Sequence, residues 1–545
     1  MNIKQLFIGA IISTVSLTAM AQSNLGVDYF SLGEYILSKN YFTQTLQQNP
    51  AESYYYLGEI AFKEGHLDEA RDNYERSLAA NPESLATVGL AKLQLQSNPA
   101  EAIQAMNNYQ KKYKKDIKVI LAIAQAYYDN DMPVEGAKKV AEARKVNKQS
   151  PLIFVFEGDR LEKEQKFGEA ATQYDQAILF DGLCLIAYIK GALVYANYTG
   201  DATLPVEYLN KVIQLDASYI IAHKYLGKVY TRTGFYLKAI DAYKVYFDAG
   251  NHSLEDITLY ASANYFGKVY DEALHAIGLG LQQDVNHFVL NRLKMYCYHD
   301  MADYGNGLAA GEYFFGITRP DTAKYLVRDH EYYSDILFHV GLKADGVAEL
   351  NKAWQLQTNK QDASKRYAAL CAGVERYADA IDFLERYFET IGIDATLEDN
   401  LLLGRYYYMA GAENIKDSVL AVQELSKNYL LKADSVFATI ATTLPDNFMG
   451  YFWRARSNSS LDPETTAGLA KPFYEKTIEV ILAQDPTRTR ELTEAYSYLS
   501  YYHYLQYYAH KNNEDKLKVK EYAERILEID PNNQTGKTLL DFAIK

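Results

Sequence analysis

Apolar residues recur at helical spacing along nearly the whole chain, whereas the strict alternation that is typical of β-strands is scarce. The pattern also repeats on a longer scale. Two sets of positions keep one constant interval: Tyr236, Tyr270 and Tyr304, and, three places further on, Ala239, Ala273 and Gly307. A period of about 34 residues is typical of repeated pairs of antiparallel helices. Such pairs must stack into an array, because one pair alone cannot bury its apolar face. The sequence therefore predicts an all-α array.

The copy that begins at Ala51 indicates what the repeated positions do. We expect Gly58 and Ala70 to lie where two helices cross closely, since a larger side chain there would force the helices apart. Tyr74 would then fill the space that these small residues leave. Pro82 predicts the end of the second helix, because proline has no backbone N–H and disfavours a helical residue before it.

These residues, together with Tyr54 and Leu57, resemble the tetratricopeptide repeat (TPR). The same register recurs from Gly26 to Ala523. The resemblance implies a TPR superhelical solenoid of about 14 helix-turn-helix repeats, with a C-terminal capping helix over residues 534–545. For function, the resemblance implies only a surface that binds other molecules, because members of the family share a scaffold and not one activity.

The two ends and one internal segment divide the chain. Residues 1–21 predict a cleavable signal peptide, with Lys4 before an apolar stretch and an A-x-A cleavage site that ends at Ala21. A first TPR array is predicted over residues 22–315, a linker loop over 316–328 and a second array over 329–545. No later segment is apolar enough to cross a membrane, so we expect an exported, periplasmic chain.

The charge balance narrows the class of partner. The chain has 56 Lys and Arg against 70 Asp and Glu, which gives a formal net charge of −14. Nucleic acid is not an expected partner, since phosphate binding needs a basic face. We expect protein partners in the cell envelope, and the sequence indicates no oligomeric state.

No common catalytic or nucleotide-binding motif is present, so we expect no enzyme, no catalytic residue and no cofactor. Two histidine groups contain residue types that bind metals: His299 with Asp300 and Asp303, and His330 with Glu331 and Asp335. Each group lacks a clear third ligand at helical spacing, and a solvated acidic helix face is the commoner explanation. We therefore predict no metal site.

The three cysteines, Cys184, Cys297 and Cys371, fall in different repeats. A disulfide needs two cysteines within reach of each other, and no such pair is evident. We expect them to serve as small buried apolar residues.

In TPR proteins the first helix of each repeat lines a concave groove, so the resemblance carries the inward positions over to this chain. The predicted peptide-binding residues at such positions are Tyr188, Tyr195, Lys224, Lys228, Tyr265, Arg292, Tyr296, Arg405 and Tyr408. Lys224 and Lys228 are four residues apart, which puts both charges on one helix face. They could hold an acidic or C-terminal segment, although a solvated groove without a ligand explains the pattern equally well. The family's clamp for chaperone tails is absent, because Lys228 and Leu259 replace its two asparagines.

The C-terminal region departs from the plain repeat. Trp453 with Arg454 and Arg456, residues 461–463 and the run that begins at Leu469 resemble exported TPR proteins of Bacteroidetes-type bacteria, which are often linked to envelope transport or assembly. Trp453 and its two arginines either pack a helix junction or bind a flat or anionic group. Inserts at residues 412–424, 458–468 and 507–516 either mark a binding face or are tolerated loops.

The predicted function is a non-catalytic periplasmic scaffold or adaptor that binds a protein or peptide segment on its concave surface. It would support an envelope complex for transport or assembly. The alternative is a protein that binds a small molecule or glycan through groove tyrosines.

Overall fold

The computed structural model describes residues 25–250, 253–416 and 418–545, and within these ranges the regular elements are helices without a strand. The predicted signal peptide, residues 1–21, lies outside the described residues. The chain divides into two compact units, Met1–Leu293 and Lys294–Lys545. The all-α prediction is confirmed.

The first described helix of the first unit, α1, covers residues 25–31. Its further helices are α2 (Tyr35–Gln44), α3 (Pro50–Lys63), α4 (Leu67–Ala80), α5 (Ala86–Gln94), α6 (Pro99–Lys112), α7 (Ile117–Tyr128), α8 (Pro133–Val146), α9 (Pro151–Lys163), α10 (Phe167–Phe180), α11 (Leu185–Thr199), α12 (Thr203–Leu215), α13 (Ile221–Arg232), α14 (Tyr236–Asp248), α15 (Leu254–Phe266) and α16 (Tyr270–Gln283). The border between the two units falls within α17 (Phe288–Asp300).

The helices of the second unit continue the same alternation. They are α18 (Tyr304–Gly316), α19 (Val327–His339), α20 (Lys343–Leu356), α21 (Lys360–Gly373), α22 (Tyr377–Ile391), α23 (Leu397–Asn414), α24 (Leu420–Thr443), α25 (Phe448–Leu461), α26 (Lys471–Gln484), α27 (Thr489–His510), α28 (Asn513–Ile529) and α29 (Gln534–Ile544). A short 3₁₀ turn, Gly392–Asp394, precedes α23. Odd-numbered helices are the first helices of the pairs, and even-numbered helices are the second.

The segment between α18 and α19, residues 317–326, has no helix. The predicted linker, residues 316–328, covers this segment, which lies inside the second unit. That the linker joins two separate arrays stays a prediction.

Tyr74 shows how the small residues set the packing. An added Cβ at Gly58 or at Gly89 would lie 2.6 Å from the Tyr74 ring, so the ring fits only because both positions lack a side chain. Tyr74 is fully buried. The same arrangement recurs in the second unit, where a Cβ at Gly404 would lie 2.6 Å from the Phe437 ring. The predicted close crossing is confirmed, and α4 ends at Ala80, just before Pro82.

The turns between the two helices of a pair also recur at the 34-residue interval. Gly200 and Gly234 adopt positive φ angles of 70° and 79°, and Lys268 and Ala302, which continue the same interval, adopt 61° and 57° at the same point of the repeat. The left-handed backbone here reverses the chain between the two helices. Glycine adopts it without steric cost, whereas it is unfavourable for lysine and alanine.

The predicted inserts are largely built into longer helices. Residues 507–510 extend α27 to 22 residues, residues 513–516 begin α28, and residues 420–424 begin the 24-residue α24. The insert at residues 458–468 differs, because most of it lies in the non-helical connection between α25 and α26, residues 462–470. The added residues therefore lengthen the helix pairs of the second unit more than they add loops.

Candidate binding surfaces on the first helices

In the first unit, consecutive first helices contact each other from α3 to α15. Lys63 at the end of α3 also reaches Asp129 at the end of α7, two repeats away, with 2.7 Å between Nζ and Oδ1. Side chains two repeats apart can meet only if the row of helices curves towards them. We call this side of the row the inner face of the first unit.

Helix α1 lies on this inner face, against helices that are distant from it in the sequence. Lys190 of α11 donates a hydrogen bond from Nζ to the carbonyl oxygen of Ser31, at 2.8 Å. Tyr219, just before α13, donates its hydroxyl to Asp28 Oδ2 at 2.5 Å. The first helix of the unit is thus bonded to its sixth and seventh helix pairs.

The turn after α1 makes the most buried of these contacts. Glu34 accepts hydrogen bonds from Lys224 Nζ at 2.8 Å and from the Tyr225 hydroxyl at 2.9 Å. Lys224 also pairs with Asp256 of α15, with 2.9 Å between Nζ and Oδ1. Only 1% of Lys224 is exposed. Burial by itself lowers the pKa of Lys224, but the carboxylates of Glu34 and Asp256 outweigh it and raise the pKa above its ordinary value.

Apolar side chains of α1 complete the contact. Leu25, Tyr29 and Leu32 pack against the buried cluster that α11 to α14 form, in which Tyr188 and Tyr225 take part. Leu25 and Tyr29 are four residues apart, which puts them on one side of α1, and Leu32 follows directly after the helix. The helix therefore meets the inner face with one apolar stripe and binds it through oxygen acceptors.

Asp28 is a titratable group of this contact whose pKa moves into the mildly acidic range. Burial raises the pKa of Asp28 from its ordinary value to about 6, although the hydrogen bond from Tyr219 and the charge of Lys190 act to lower it. The carboxyl group is thus poised to gain or lose its proton in mildly acidic solution.

A second buried network lies near the other end of the inner face. Lys92 of α5 donates to both carboxylate oxygens of Glu59 at 2.8 Å, and its Nζ lies 4.0 Å from the centre of the Phe62 ring. The Tyr74 hydroxyl donates to Glu59 at 2.7 Å. Each of these inner-face lysines has a carboxylate partner within the chain.

The predicted binding residues of the first unit occupy different environments. Lys224 is buried and Lys228 is half-buried, with its Nζ 3.1 Å from Glu255. Tyr188 and Tyr265 are buried, and Tyr195 donates its hydroxyl to Asp175 of α10 at 2.6 Å. The Arg292 guanidinium lies 4.9 Å from the centre of the Phe288 ring.

In the second unit, Arg405 and Tyr408 of α23 come together at Trp453 of α25. The Arg405 guanidinium lies 5.5 Å from the centre of the Trp453 ring, and the Tyr408 and Trp453 rings are 5.4 Å apart. Arg456 lies 4.9 Å from the same ring. We call these four residues the Trp453 cluster.

The cluster is partly open to solvent. Arg405 is exposed, while Tyr408, Trp453 and Arg456 are half-buried. Arg456 forms a two-pronged ion pair with Glu494 of α27, at 2.7 and 2.5 Å. Arg405, in contrast, has no ion-pair partner among the residues that the structure describes.

Trp453 also packs a helix junction, because its ring stacks on Phe437 of α24 at 5.7 Å. Arg454 points to the second helix layer, where its Nε lies 3.0 Å from Asp434 of α24. The interpretation that Trp453 packs a helix junction is therefore confirmed, and the binding of a flat or anionic group stays a prediction. Tyr296, the remaining residue of the predicted binding set, is buried, and its hydroxyl donates to Asp329 Oδ1 at 2.6 Å.

Ion pairs between consecutive first helices recur in this unit at shallower depth. Lys365 of α21 bonds to Asp399 of α23 at 2.6 Å, and Arg366 bonds to Glu331 of α19 at 2.6 Å. The side chains of Lys365 and Arg366 are 48% and 54% exposed. We call the surface that carries these pairs the first-helix face of the second unit.

The histidines take part in ordinary polar packing. His299 bonds to Asp300 at 2.9 Å and to Asp335 at 3.0 Å. His330 bonds to Glu349, which is not one of the residues that the sequence grouped with it, at 2.6 Å. Within the described ranges, no three of the histidine, cysteine, aspartate and glutamate residues are grouped so that they could hold a metal ion.

The cysteines are free thiols: Cys297 and Cys371 are buried, and Cys184 is half-buried. Burial raises the pKa of the Cys184 thiol to about 11.

The sequence did not indicate the roles of Asp28 and Glu34, nor that of Lys190, which donates to the carbonyl oxygen of Ser31. Lys190 could have been found, because it precedes Lys224 by one repeat interval and so occupies the same position of the preceding repeat. Glu34 could not, because it meets Lys224 across 190 residues of sequence. That meeting depends on how tightly the helix row curves, which no local pattern specifies.

Comparison with known proteins agrees with the geometry of the helix pairs. The tetratricopeptide repeat family model matches residues 51–84. The human mitochondrial import receptor subunit TOM70 is 22% identical over 255 residues, which are 46% of this chain and 37% of TOM70. The match thus spans little more than a third of that relative.

Solved structures of repeat proteins are also similar to the chain. The C-terminal part of a TPR protein from Cytophaga hutchinsonii is 26% identical, with a TM-score of 0.33, and covers 52% of this chain and 99% of its own. A TPR protein from Parabacteroides merdae is 15% identical, with a TM-score of 0.33 and coverage of 45% and 95%.

None of the helices in the described part of the chain is long and apolar enough to cross a bilayer. The match at residues 51–84 falls on α3 and α4, the pair whose glycine and tyrosine packing is described above. The helix pairs, their constant period and this match lead to one conclusion. Residues 51–84 form a tetratricopeptide repeat, and the helix pairs before and after them continue the same helix-turn-helix architecture.

Proposed function

We propose that the protein is a non-catalytic scaffold of the cell envelope that binds a segment of a partner protein on its first helices. The observation that carries the proposal is the Trp453 cluster. It offers an exposed guanidinium, at Arg405, beside two half-buried aromatic rings. Tryptophan, tyrosine and arginine are the residues most enriched where protein interfaces gain their binding energy.

The chemistry of the cluster fits an acidic side chain or a C-terminal carboxylate next to an apolar residue. The carboxylate would pair with Arg405, whose charge has no ion-pair partner among the described residues. The apolar residue would pack on Trp453 and Tyr408. Arg456 would stay with Glu494 and hold the Trp453 ring in place.

A binding experiment with the intact chain tests the surface. Arg405→Glu and Trp453→Ala should each remove the proteins that the wild-type chain retains from an envelope extract. Arg525→Glu is the matched control, because Arg525 is exposed on α28, a second helix of the same unit. Retention of the same proteins by all four chains would show that the cluster is not the binding surface.

The envelope location rests on the predicted signal peptide, residues 1–21. We expect the exported chain to begin at Gln22 and to be released with the periplasmic fraction of the producing cell. N-terminal sequencing of the released protein tests both points, since an uncleaved chain in the cytoplasmic fraction would contradict them.

A further inference from the structure

Helix α1 is held on the inner face of the first unit without being enclosed by it. Apart from Gly26, its residues are all half-buried and not fully buried. The helix is held by the inner face together with the next two helices, since Ser38 of α2 donates to the Gly26 carbonyl oxygen at 2.8 Å and the Phe30 ring lies 5.8 Å from the Tyr56 ring of α3.

In the hydrogen bonds between the inner face and residues 28–34, the inner face supplies every donor. Lys190, Tyr219, Lys224 and Tyr225 donate from the inner face, while Asp28, Ser31 and Glu34 accept. The apolar stripe of Leu25, Tyr29 and Leu32 faces the cluster of α11 to α14. The face is thus complementary to an amphipathic helix with carboxylates beside its apolar stripe.

We propose that the inner face at α11 and α13 is a receptor for an acidic amphipathic helix of a partner protein, and that α1 is an intramolecular occupant which this helix displaces. The inference rests on the proposed function, since it names the class of segment that the scaffold binds and the device that regulates its binding.

The face can lose α1 without leaving a buried positive charge unpaired. Lys190 keeps Asp159, with 2.6 Å between Nζ and Oδ1, and Lys224 keeps Asp256 at 2.9 Å. A cation without a partner would make the open state very unfavourable, and these second carboxylates prevent that. The arrangement suits a contact that opens and closes.

The tether also makes α1 a strong competitor. A segment joined to its binding site by a short connection acts at an effective concentration on the order of millimolar. A partner helix succeeds if it extends the apolar and acidic stripes beyond those that residues 25–34 supply. Weakening α1 inside the chain should therefore expose the site to a peptide added in solution.

The test uses a fluorescent synthetic peptide with the sequence of residues 25–38 and the chain from Gln22 onward. Glu34→Gln in the chain removes the charge that Lys224 binds, while the peptide keeps its own Glu34. The peptide should bind the Glu34→Gln chain about tenfold more tightly than the wild-type chain. Glu255→Gln is the matched control, because Glu255 is exposed and pairs with Lys228 one turn further along α13.

Two further measurements protect the test from a folding defect. Leu32→Ala weakens α1 through its apolar stripe and should have the same effect as Glu34→Gln. Amide hydrogen exchange over residues 25–32 should be faster in both variants, while exchange in α11 and α13 stays slow. A peptide that carries Glu34→Gln should bind the opened chains about tenfold more weakly than the unmodified peptide.

Equal affinity of the peptide for all four chains, or no binding to any, would overturn the inference. The proposed function can fail separately, because its test variants lie in the second unit. Loss of partner binding in Arg405→Glu with unchanged peptide binding would support the proposed surface alone. Tight peptide binding to the Glu34→Gln chain, with no partner lost in Arg405→Glu, would support the inner-face receptor alone.

Discussion

The two units use the same kind of ion pair between first helices, but at different depths. In the first unit, Lys224 is 1% exposed and meets two carboxylates, one of them from the segment after α1. In the second unit, the side chain of Arg366 is 54% exposed and meets one. A buried pair becomes costly when one partner is removed, whereas an exposed pair contributes little. In this structure the inner face is therefore covered by a segment of the chain itself, whereas the first-helix face is accessible.

Removal of the buried cation should have the largest effect. Lys224→Met keeps the length of the side chain but leaves Glu34 and Asp256 without their shared partner, so we expect the first unit to lose about 3–5 kcal/mol of unfolding free energy. Urea unfolding followed by hydrogen exchange in α13 measures this. Lys228→Met, four residues further on, should cost less than about 1 kcal/mol. Similar losses in the two variants would show that depth does not distinguish the pairs.

The glycine and aromatic packing should instead be equal in the two units. In Gly58→Ala the new methyl group would lie 2.6 Å from the Tyr74 ring, and in Gly404→Ala it would lie 2.6 Å from the Phe437 ring. Both rings are fully buried, so we expect a loss of about 1–3 kcal/mol in each case. Thermal unfolding measures both variants.

The control for this pair is Gly278→Ala in α16. A Cβ at Gly278 meets no atom within 4 Å, so the change should stabilise the chain by up to about 1 kcal/mol through helix propensity alone. A loss at Gly58 without a loss at Gly404 would mean that the second unit packs its crossings by other means.

The sequence predicted the packing that recurs in each helix pair, but not the contacts by which residues 25–34 cover the inner face. Gly58 and Tyr74 were predictable because their contact lies within one helix pair and is encoded by spacing. The Trp453 cluster was predictable in part, since Arg405 and Tyr408 occupy inward positions of one helix. The contact of Glu34 with Lys224 was not, because it depends on small rotations that accumulate from one pair to the next.

Protonation of Asp28 should alter how tightly α1 binds the inner face, and we call the state with α1 bound the closed state. The groups that face Asp28 are Tyr219 and Lys190 from the array, Tyr29 and Tyr56 from the first two helix pairs, and Cys184 before α11. The pKa of about 6 with α1 in place exceeds the ordinary value of 3.8. The stabilisation of the closed state is therefore complete below pH 3.8 and is lost as pH rises through about 6.

We expect α1 to leave the inner face roughly tenfold more readily at pH 7 than at pH 5. Binding of the peptide with the sequence of residues 25–38, carrying Asp28→Asn so that it does not titrate at this position, measures the change. The Asp28→Asn chain should show no comparable dependence on pH. Opening that increases on acidification would contradict the assignment to Asp28.

The smallest effect concerns salt, and it tests the comparison most directly. Arg366→Gln removes an exposed charge from the first-helix face, so we expect a cost of less than about 1 kcal/mol at low ionic strength. At 1 M salt the screening length falls to about 3 Å, and the cost should vanish because water and ions reach both partners. The cost of Lys224→Met should hardly change, since the buried pair is screened much less. Unfolding of both variants at low and high salt measures the difference, and equal salt dependence would mean that the inner face is as open to water as the first-helix face.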